Sequence, residues 1–308
     1  MTTNAFTSRV AVSVDVEDWY HGPSVMPAGD SGAALERFLG AHPDAGRGYR
    51  YIDACLEMLK RRGITATFFW VAEYARRHPD LLRRVAAAGH EIGCHGLTHT
   101  AKLDPRSGRP LFTRAAFAER TTQARKLLQD ICGRAVIGYR APNAYVSGAM
   151  LDVLEDLGFR YDSSVSVNSL YNKTDSSLAG VGTRPYYPAR GELARGKERR
   201  ALIEFPWPYL DLLGFKMQSA GGPFLRLFGR TLILRGLSQS LRRGHTVFYF
   251  HPIDICNEDF PFEFSLKRPF LWHCKGDRVK RRIERVLDAV RERAASFETL
   301  LNDPGCAA

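Results

Sequence analysis

Two histidines four residues apart are the most specific chemical feature of this sequence. His95 and His99 occur in the segment His-Gly-Leu-Thr-His, and a tight loop or helical turn would bring both imidazoles to one side of the chain. Two imidazoles at this spacing can share one divalent metal ion. Because histidine pairs also occur without a metal, the interpretation depends on whether a carboxylate lies nearby.

An acidic cluster offers such a carboxylate. Asp15, Glu17 and Asp18 directly follow a valine-rich segment, 9–14, that is typical of a buried strand. Asp15 and Glu17 share a face if the strand continues, because alternate residues of a strand point to the same side. Two histidines and one acid would form a catalytic zinc set with an open position for water, while a second acid accepts a proton. The alternative is a solvated acidic turn.

Three further polar residues follow predicted strands. Arg140 could hold a nearby carboxylate ionised and oriented. His251, after the apolar segment 246–250, could protonate a leaving amine or be a hydrogen-bonded core residue. Asp162 could tune that histidine or form a local hydrogen bond in a turn. Since ligand sites of parallel α/β folds form at the carboxyl ends of strands, we expect these residues to converge.

Apolar segments typical of strands alternate along the chain with segments of helical periodicity. Short connections between them predict a parallel α/β architecture, either a barrel or a doubly wound sheet. The predicted strands are 9–14, 65–71, 91–94, 135–139, 159–162, 201–205 and 246–250, and the predicted helices are 51–62, 79–88, 115–130, 148–157 and 275–301. The segment 165–200 is rich in Ser, Asn, Gly, Pro and Tyr and predicts a long irregular excursion.

Composition restricts the function classes. A chain of 308 residues with 44% apolar and 25% charged residues is typical of a folded protein, not a disordered one. Six dispersed cysteines without a CxxC pair predict neither a disulfide framework nor a zinc knuckle. With no long apolar run and a polar beginning, 1–8, the sequence predicts a cytoplasmic location.

The net charge of +11 bears on the partners. Because the basic residues are spread out, we expect no nucleic-acid partner, and an anionic substrate or membrane surface fits better. The predicted helix 275–301 has an apolar stripe that would pack on the core, with peripheral membrane contact as the minority interpretation.

The motifs, taken in order, resemble those of the polysaccharide deacetylases with the NodB-homology fold, carbohydrate esterase family 4. The similar segments span most of the chain: Ser13–Asp18, Ala66–Phe69, Gly89–His99, Gly138–Pro142, Phe159–Ser164 and Phe248–Pro252. Glu204–Pro206, Gly221–Gly222 and the C-terminal helical segment are similar to the branch found in exopolysaccharide loci.

The resemblance implies a single domain over residues 1–308, built as a deformed (β/α)7 barrel. Its core would span about 9–255, with the irregular excursion at 165–200 and a C-terminal helix at 275–301. The implied activity is metal-dependent removal of an acetyl group from an N-acetylated sugar. The substrate would be a polysaccharide, a glycolipid or a sugar precursor, and the basic charge of the chain would suit an anionic or lipid-linked form.

The resemblance also implies a metal site. His95 and His99 would bind a divalent ion, most simply zinc, with Co²⁺ and Ni²⁺ as alternatives. The third ligand stays open: relatives with an Asp-x-Asp pattern favour Glu17, whereas the usual preference for aspartate favours Asp18.

The remaining roles follow from the same resemblance. Asp15 would be the base, Arg140 its contact and His251 the acid, while Asp162 lies in a motif that is only partly kept. A backbone N–H near 141–144 would bind the oxyanion.

Two other functions are compatible with parts of the sequence. A metal-independent amidohydrolase of the same fold would act on a small cyclic amide, and a non-catalytic module would bind carbohydrate or polyanion. An intact metal set argues against both. Five aromatic residues could stack on sugar rings or pack within the excursion and the chain after it: Tyr171, Tyr186, Tyr187, Trp207 and Tyr209.

Overall fold

The computed structural model describes residues 7–21, 36, 39–41, 46–100, 104, 111–170, 174, 176–259, 274–303 and 306–307. Its centre is a parallel sheet that curls around a packed interior. The strands of this sheet are β1 (Val10–Val16), β2 (Thr67–Trp70), β3 (Glu91–Cys94), β4 (Gly138–Tyr139), β5 (Tyr161–Asp162), β6 (Ile203–Glu204), β9 (Thr246–Phe250) and β10 (Ala294–Ala295). A separate antiparallel hairpin joins β7 (Tyr209–Leu212) to β8 (Phe215–Gln218).

The strand order explains how the ends of distant segments meet. The pairings run β9-β1-β2-β3-β4-β5-β6, all parallel, and β10 pairs with the first residues of β1. Between β6 and β9, Gly221 forms a bridge to Tyr249, and the Trp207 ring lies 4.7 Å from the Tyr249 ring. All seven predicted strands are therefore confirmed, and the fold is the deformed (β/α)7 type.

Helices cover the outside of the sheet. They are α1 (Arg47–Lys60), α2 (Ala72–Arg77), α3 (Pro79–Ala87), α4 (Arg114–Cys132), α5 (Gly148–Asp156), α6 (Gly222–Leu241), α7 (Asp277–Val290) and α8 (Phe297–Leu301). Local signals fix their ends: Thr113 caps α4 by accepting from the Ala116 amide at 3.1 Å, and Gly133 ends it in a left-handed conformation. The described part of 165–200 carries neither a helix nor a named strand, as predicted.

The prediction of one continuous helix over 275–301 is wrong. The chain leaves the helix after α7, passes through a short 3-10 turn, pairs as β10 with β1, and begins α8 after Ser296. The Phe297 amide donates to the Thr67 hydroxyl at 3.0 Å, which fixes this return to the sheet. The apolar stripe is buried on the core at Val279, Ile283, Val286, Leu287, Val290 and Phe297. This face therefore packs within the protein and offers no contact to a membrane.

Two further observations concern the whole described chain. All six cysteines lie among the described residues and are free. Among the helices that the structure describes, none combines the length and the hydropathy needed to cross a bilayer.

Candidate active site

Polar side chains from several strands meet at one end of the sheet. Asp15 belongs to the end of β1, and Glu17 lies just beyond it. His95, Arg140 and His251 directly follow β3, β4 and β9. All five line one cavity of about 110 Å³. The predicted convergence at the carboxyl ends of the strands is therefore present for these five residues.

Glu17 and two histidines form a compact set of potential metal ligands. His99 Nε2 lies 3.1 Å from Glu17 Oε2, and His95 Nε2 lies 3.9 Å from Glu17 Oε1. His95 Nδ1 lies 2.8 Å from the Arg140 carbonyl, and His99 Nδ1 lies 2.9 Å from the His21 carbonyl. Because a carbonyl oxygen only accepts, each Nδ1 carries the proton and each Nε2 presents a lone pair.

This arrangement brings imidazole lone pairs to face a carboxylate in a buried place. Burial lowers the pKa of His99 to about 4. The imidazole is therefore neutral at neutral pH, and its Nε2 lone pair faces Glu17. His99 Nε2 is buried and has no hydrogen-bond partner among the residues that the structure describes. A divalent cation would satisfy these nitrogen and oxygen atoms together, and carbonyl groups behind metal-binding imidazoles are a common supporting arrangement. The donor set fits a metal ion of the zinc class.

Asp18 points elsewhere. Its Oδ1 accepts from the Trp19 amide at 2.7 Å, and its Oδ2 accepts from Arg47 at 3.3 Å. Its own amide donates to His21 Nδ1 at 2.9 Å. The structure therefore brings Glu17, not Asp18, to the pair of histidines. Sequence reasoning missed His21, whose backbone and ring support this turn.

A buried arginine holds Asp15. Arg140 Nη1 donates to Asp15 Oδ1 at 2.6 Å and to the Ser13 hydroxyl at 2.8 Å. Its Nε donates to the Ser163 carbonyl at 3.0 Å, and its guanidinium carbon lies 4.3 Å from the centre of the Phe69 ring. Both charged side chains are almost wholly buried. The predicted contact is present, and it leaves Asp15 one orientation, toward the cavity.

His251 lies on the other side of Glu17. Its Nε2 is 3.2 Å from Glu17 Oε1, and its Nδ1 is 3.1 Å from Asp254 Oδ2. Arg226 of α6 pairs with the buried Asp254. Burial opposes protonation of His251, but Asp254 and Glu17 outweigh it and raise its pKa to about 10. An imidazolium at this position can donate a proton to a leaving group.

Sequence reasoning missed both Asp254 and Arg226. Asp254 stands three residues after His251, at the spacing of a capping box, and this pattern is a signal that could have found it. No comparable signal identifies Arg226, since its partner is distant in sequence.

Asp162 belongs to a local turn and not to the cavity wall. Its Oδ1 accepts from the Ser164 hydroxyl at 2.8 Å, and that hydroxyl accepts from the Ala141 amide at 2.8 Å. Burial and the neighbouring Asp162 raise the pKa of Glu204 well above its usual range, so this acid pair retains a proton. Of the two predicted alternatives, the local hydrogen bond is the one observed, and the described partners of His251 do not include Asp162.

The loop after β4 is strained at the cavity. Asn143 and Ala144 have φ values of 57° and 58°, in a region that residues other than glycine rarely adopt, and both line the cavity. The amides of Ala141 and Ala144 donate to Ser164 and to the Ala141 carbonyl, respectively. Both of these N–H groups therefore already have acceptors, one in the segment after β5 and one within the loop itself.

The aromatic residues that could stack on sugar rings lie in different parts of the protein. Trp207 lines the cavity and donates through Nε1 to the Ser163 carbonyl at 3.0 Å. Tyr186 is buried and donates to the Leu193 carbonyl at 2.6 Å. Tyr187 lines a different cavity, of about 690 Å³, near the amino ends of β5 and β6. Tyr209 is buried at the start of the hairpin, and Tyr171 lies outside the described residues.

Comparison with known proteins gives matches over both halves of the chain. A family model described as "Polysaccharide deacetylase" matches residues 44–161, and one described as "Domain of unknown function (DUF3473)" matches residues 173–300. The chain is 32% identical to a "Chitooligosaccharide deacetylase" of Azorhizobium caulinodans over 108 residues, which cover 35% of this chain and 48% of that protein. It is 28% identical to a "Peptidoglycan deacetylase" of Helicobacter pylori over 173 residues, covering 52% and 54%.

The fold has solved counterparts. A crystal structure of a Mycobacterium smegmatis protein assigned to the polysaccharide deacetylases matches with a TM-score of 0.61 at 19% identity. The match covers 98% of this chain and 91% of that one, and at this identity it shows the fold alone. The chain spans about half the length of the curated relatives that it matches.

Proposed function

We propose that this chain, which carries a polysaccharide deacetylase domain of the NodB-homology type, hydrolyses the N-acetyl group of a sugar with the help of a divalent cation. The observation that carries this proposal is the set of Glu17, His95 and His99 beside the Asp15–Arg140 pair. A set of potential metal ligands and a fixed carboxylate lie together at one small cavity, which supports the proposal. Metal-assisted hydrolysis of an unactivated amide uses both.

In this proposal Glu17, His95 and His99 would hold the cation. Zinc agrees best with two imidazoles and one carboxylate, and Co²⁺ or Ni²⁺ could take the same ligands. The bound cation would supply Lewis-acid polarisation of the amide carbonyl and would make a water molecule more acidic. Asp18 would stabilise the turn after β1 through Trp19 and Arg47 instead.

The protein's own groups would move the protons. Asp15, fixed by Arg140, would accept the proton from the attacking water. His251, held by Asp254, would donate a proton to the departing nitrogen, so that acetate and a free amino sugar result. Asp162 would have a positioning role, because its carboxylate holds Ser164 in the turn that supports the loop after Arg140.

The substrate class follows from the relatives' names and from the charge. Those names specify chitooligosaccharide and peptidoglycan, and we propose an N-acetylated amino sugar in a polysaccharide, a glycolipid or a sugar precursor. The small cavity suits an acetamido group better than a whole ring. The net charge of +11 suits an anionic or lipid-linked form of the substrate.

Acetate release from a panel of N-acetylated sugars tests the proposal. We expect turnover by the metal-loaded enzyme, loss after treatment with a chelator, recovery with Zn²⁺, and a decrease of at least about a hundredfold in kcat for Asp15→Asn. Full activity of the chelated enzyme on a cyclic amide would instead indicate a metal-independent amidohydrolase. Carbohydrate binding without turnover, unchanged by Asp15→Asn, would indicate a binding module.

A further inference from the structure

The hairpin next to the cavity ends in an exposed apolar tip. Leu213 and Gly214 form the two-residue turn between β7 and β8, with φ values of 54° and 91°. Turns with positive φ at both central residues prefer Asn and Gly, so leucine at the first position carries backbone strain. The Leu213 side chain is fully exposed, with a relative accessibility of 108%. It therefore adds strain to the turn without packing against any described part of the protein.

Further exposed apolar side chains flank this tip or lie on the helix that follows the hairpin. Leu212 and Phe215 close the turn, and Leu170 is tied to it because the Ser169 amide donates to the Lys216 carbonyl at 3.0 Å. Of seven large apolar residues exposed in the described chain, six lie in the hairpin, in this tied loop or in α6: Leu170, Leu212, Leu213, Phe215, Leu227 and Phe228. The five besides Leu213 are between 41% and 61% exposed. Only Leu111 lies elsewhere, so the exposure is concentrated.

The same part of the chain is strongly basic. Residues 205–250, which comprise the hairpin, α6 and β9, contain Asp211 as their single acidic residue, and its carboxylate accepts from the Gly214 amide at 2.8 Å. The six basic residues of this segment are Lys216, Arg226, Arg230, Arg235, Arg242 and Arg243. Four of the arginines are exposed, from Arg230 near the middle of α6 to Arg243 just beyond its end. A surface of this charge is attracted to anionic lipid headgroups.

We propose that the hairpin tip inserts into the surface of an anionic lipid bilayer. The tip is a turn of only two residues, whereas a stable protein–protein interface takes about 20–30 residues from each partner. Apolar side chains on an exposed turn, with basic residues on the same hairpin and on the helix after it, match the chemistry of the bilayer interface, where the apolar groups lie below the headgroups. This docking rests on exposure and charge, and it does not depend on the deacetylase activity.

The position of the hairpin gives the docking a consequence for the site. β8 returns from the tip to Gln218, which lines the active-site cavity together with Phe224 of α6. A strand of this length spans about 10 Å, so an inserted tip would hold the cavity close to the headgroup region. A sugar carried by a membrane lipid would then reach the cavity directly. This consequence, unlike the docking itself, rests on the proposed function.

Co-sedimentation with sucrose-loaded vesicles tests the docking. One set of vesicles contains phosphatidylcholine alone, and the other contains a mixture with phosphatidylglycerol. We expect the protein to bind the mixed vesicles and to dissociate as the salt concentration rises. Leu213→Asn should weaken this binding about tenfold, since a buried leucine side chain is lost from the contact. Asn favours positive φ, so this variant should fold at least as stably, which thermal unfolding checks.

Leu111→Asn is the matched control, because Leu111 is also exposed but lies far from the hairpin in sequence. It should bind like the unaltered protein. The proposal is overturned if the unaltered protein does not bind the mixed vesicles, or if it binds the mixed and the phosphatidylcholine vesicles equally. It is also overturned if the two variants bind alike, or if Leu213→Asn only dissolves a dimer seen by sedimentation velocity. Because no substrate is present, these outcomes are independent of whether the enzyme deacetylates.

Discussion

Replacing Arg140 with methionine would leave the Asp15 carboxylate buried without its cation. Arg140 is fully buried and donates to Asp15, to the Ser13 hydroxyl and to both the carbonyl and the hydroxyl of Ser163. Removing one partner of a buried ion pair costs about 3–5 kcal/mol, because the other charge stays desolvated. A domain is stable by about 5–15 kcal/mol, so the variant should fold but unfold at clearly lower urea concentration.

A double-mutant cycle separates this charge effect from lost packing. Asp15→Asn in the Arg140→Met background removes the unpaired charge, and we expect the double variant to regain about 2 kcal/mol relative to Arg140→Met alone. The free energy of unfolding is measured by urea titration of the metal-free proteins, followed by circular dichroism at neutral pH. The four proteins are the unaltered chain, the two single variants and the double variant. Effects that add within about 0.5 kcal/mol would refute the reasoning. Arg114→Met is the control, because its pair with Asp156 is exposed and should contribute less than about 1 kcal/mol.

Three further predictions follow from other contacts. Asp254→Asn should lower kcat for acetate release about ten- to a hundredfold while the metal content stays the same, because it removes the partner of His251. Gly138→Ala should cost about 2–3 kcal/mol in urea unfolding, since its new Cβ would lie 1.9 Å from the tyrosine ring of β5, whereas Gly182→Ala, with open space around it, should be neutral. Burial lowers the pKa of His90 to about 4, so its contribution to stability is complete above pH 6.5 and is lost as the pH falls toward 4. His90→Gln should therefore flatten the fall in unfolding free energy between pH 7 and pH 5, by on the order of 1–2 kcal/mol after allowance for solvent screening; an unchanged slope would contradict this origin.

The parallel sheet was predictable because its strands are covered on both sides and form continuous apolar segments. The hairpin was missed because its turn is Leu213-Gly214 and not the Asn-Gly that signals a tight turn. α6 was missed because Pro223 and the left-handed Gly229 interrupt its pattern. The helix predicted over 275–301 was too long because buried apolar residues continue past its true end, into a strand that pairs with β1.

The candidate site also has parts that the sequence predicts and parts that it does not. Asp15, His95, Arg140 and His251 were predicted to converge because each follows a strand, and parallel strands end at the same edge. The choice between the two acids after Asp15 depends on how the chain turns beyond β1, which no spacing rule gives. The support of His251 by Asp254 had a local signal, the capping-box spacing of three residues, whereas the pairing of Asp254 with the sequence-distant Arg226 had none.

The metal content of three proteins tests the central proposal most directly. The unaltered protein, Glu17→Gln and Asp18→Asn are purified, incubated with Zn²⁺, dialysed against metal-free buffer and measured by elemental analysis. Glu17 contacts both histidines, whereas Asp18 contacts Trp19 and Arg47, so we predict about one ion per chain in the unaltered protein and in Asp18→Asn, and loss of the ion in Glu17→Gln. Retention of the ion in Glu17→Gln, or its loss in Asp18→Asn alone, would contradict the proposed site.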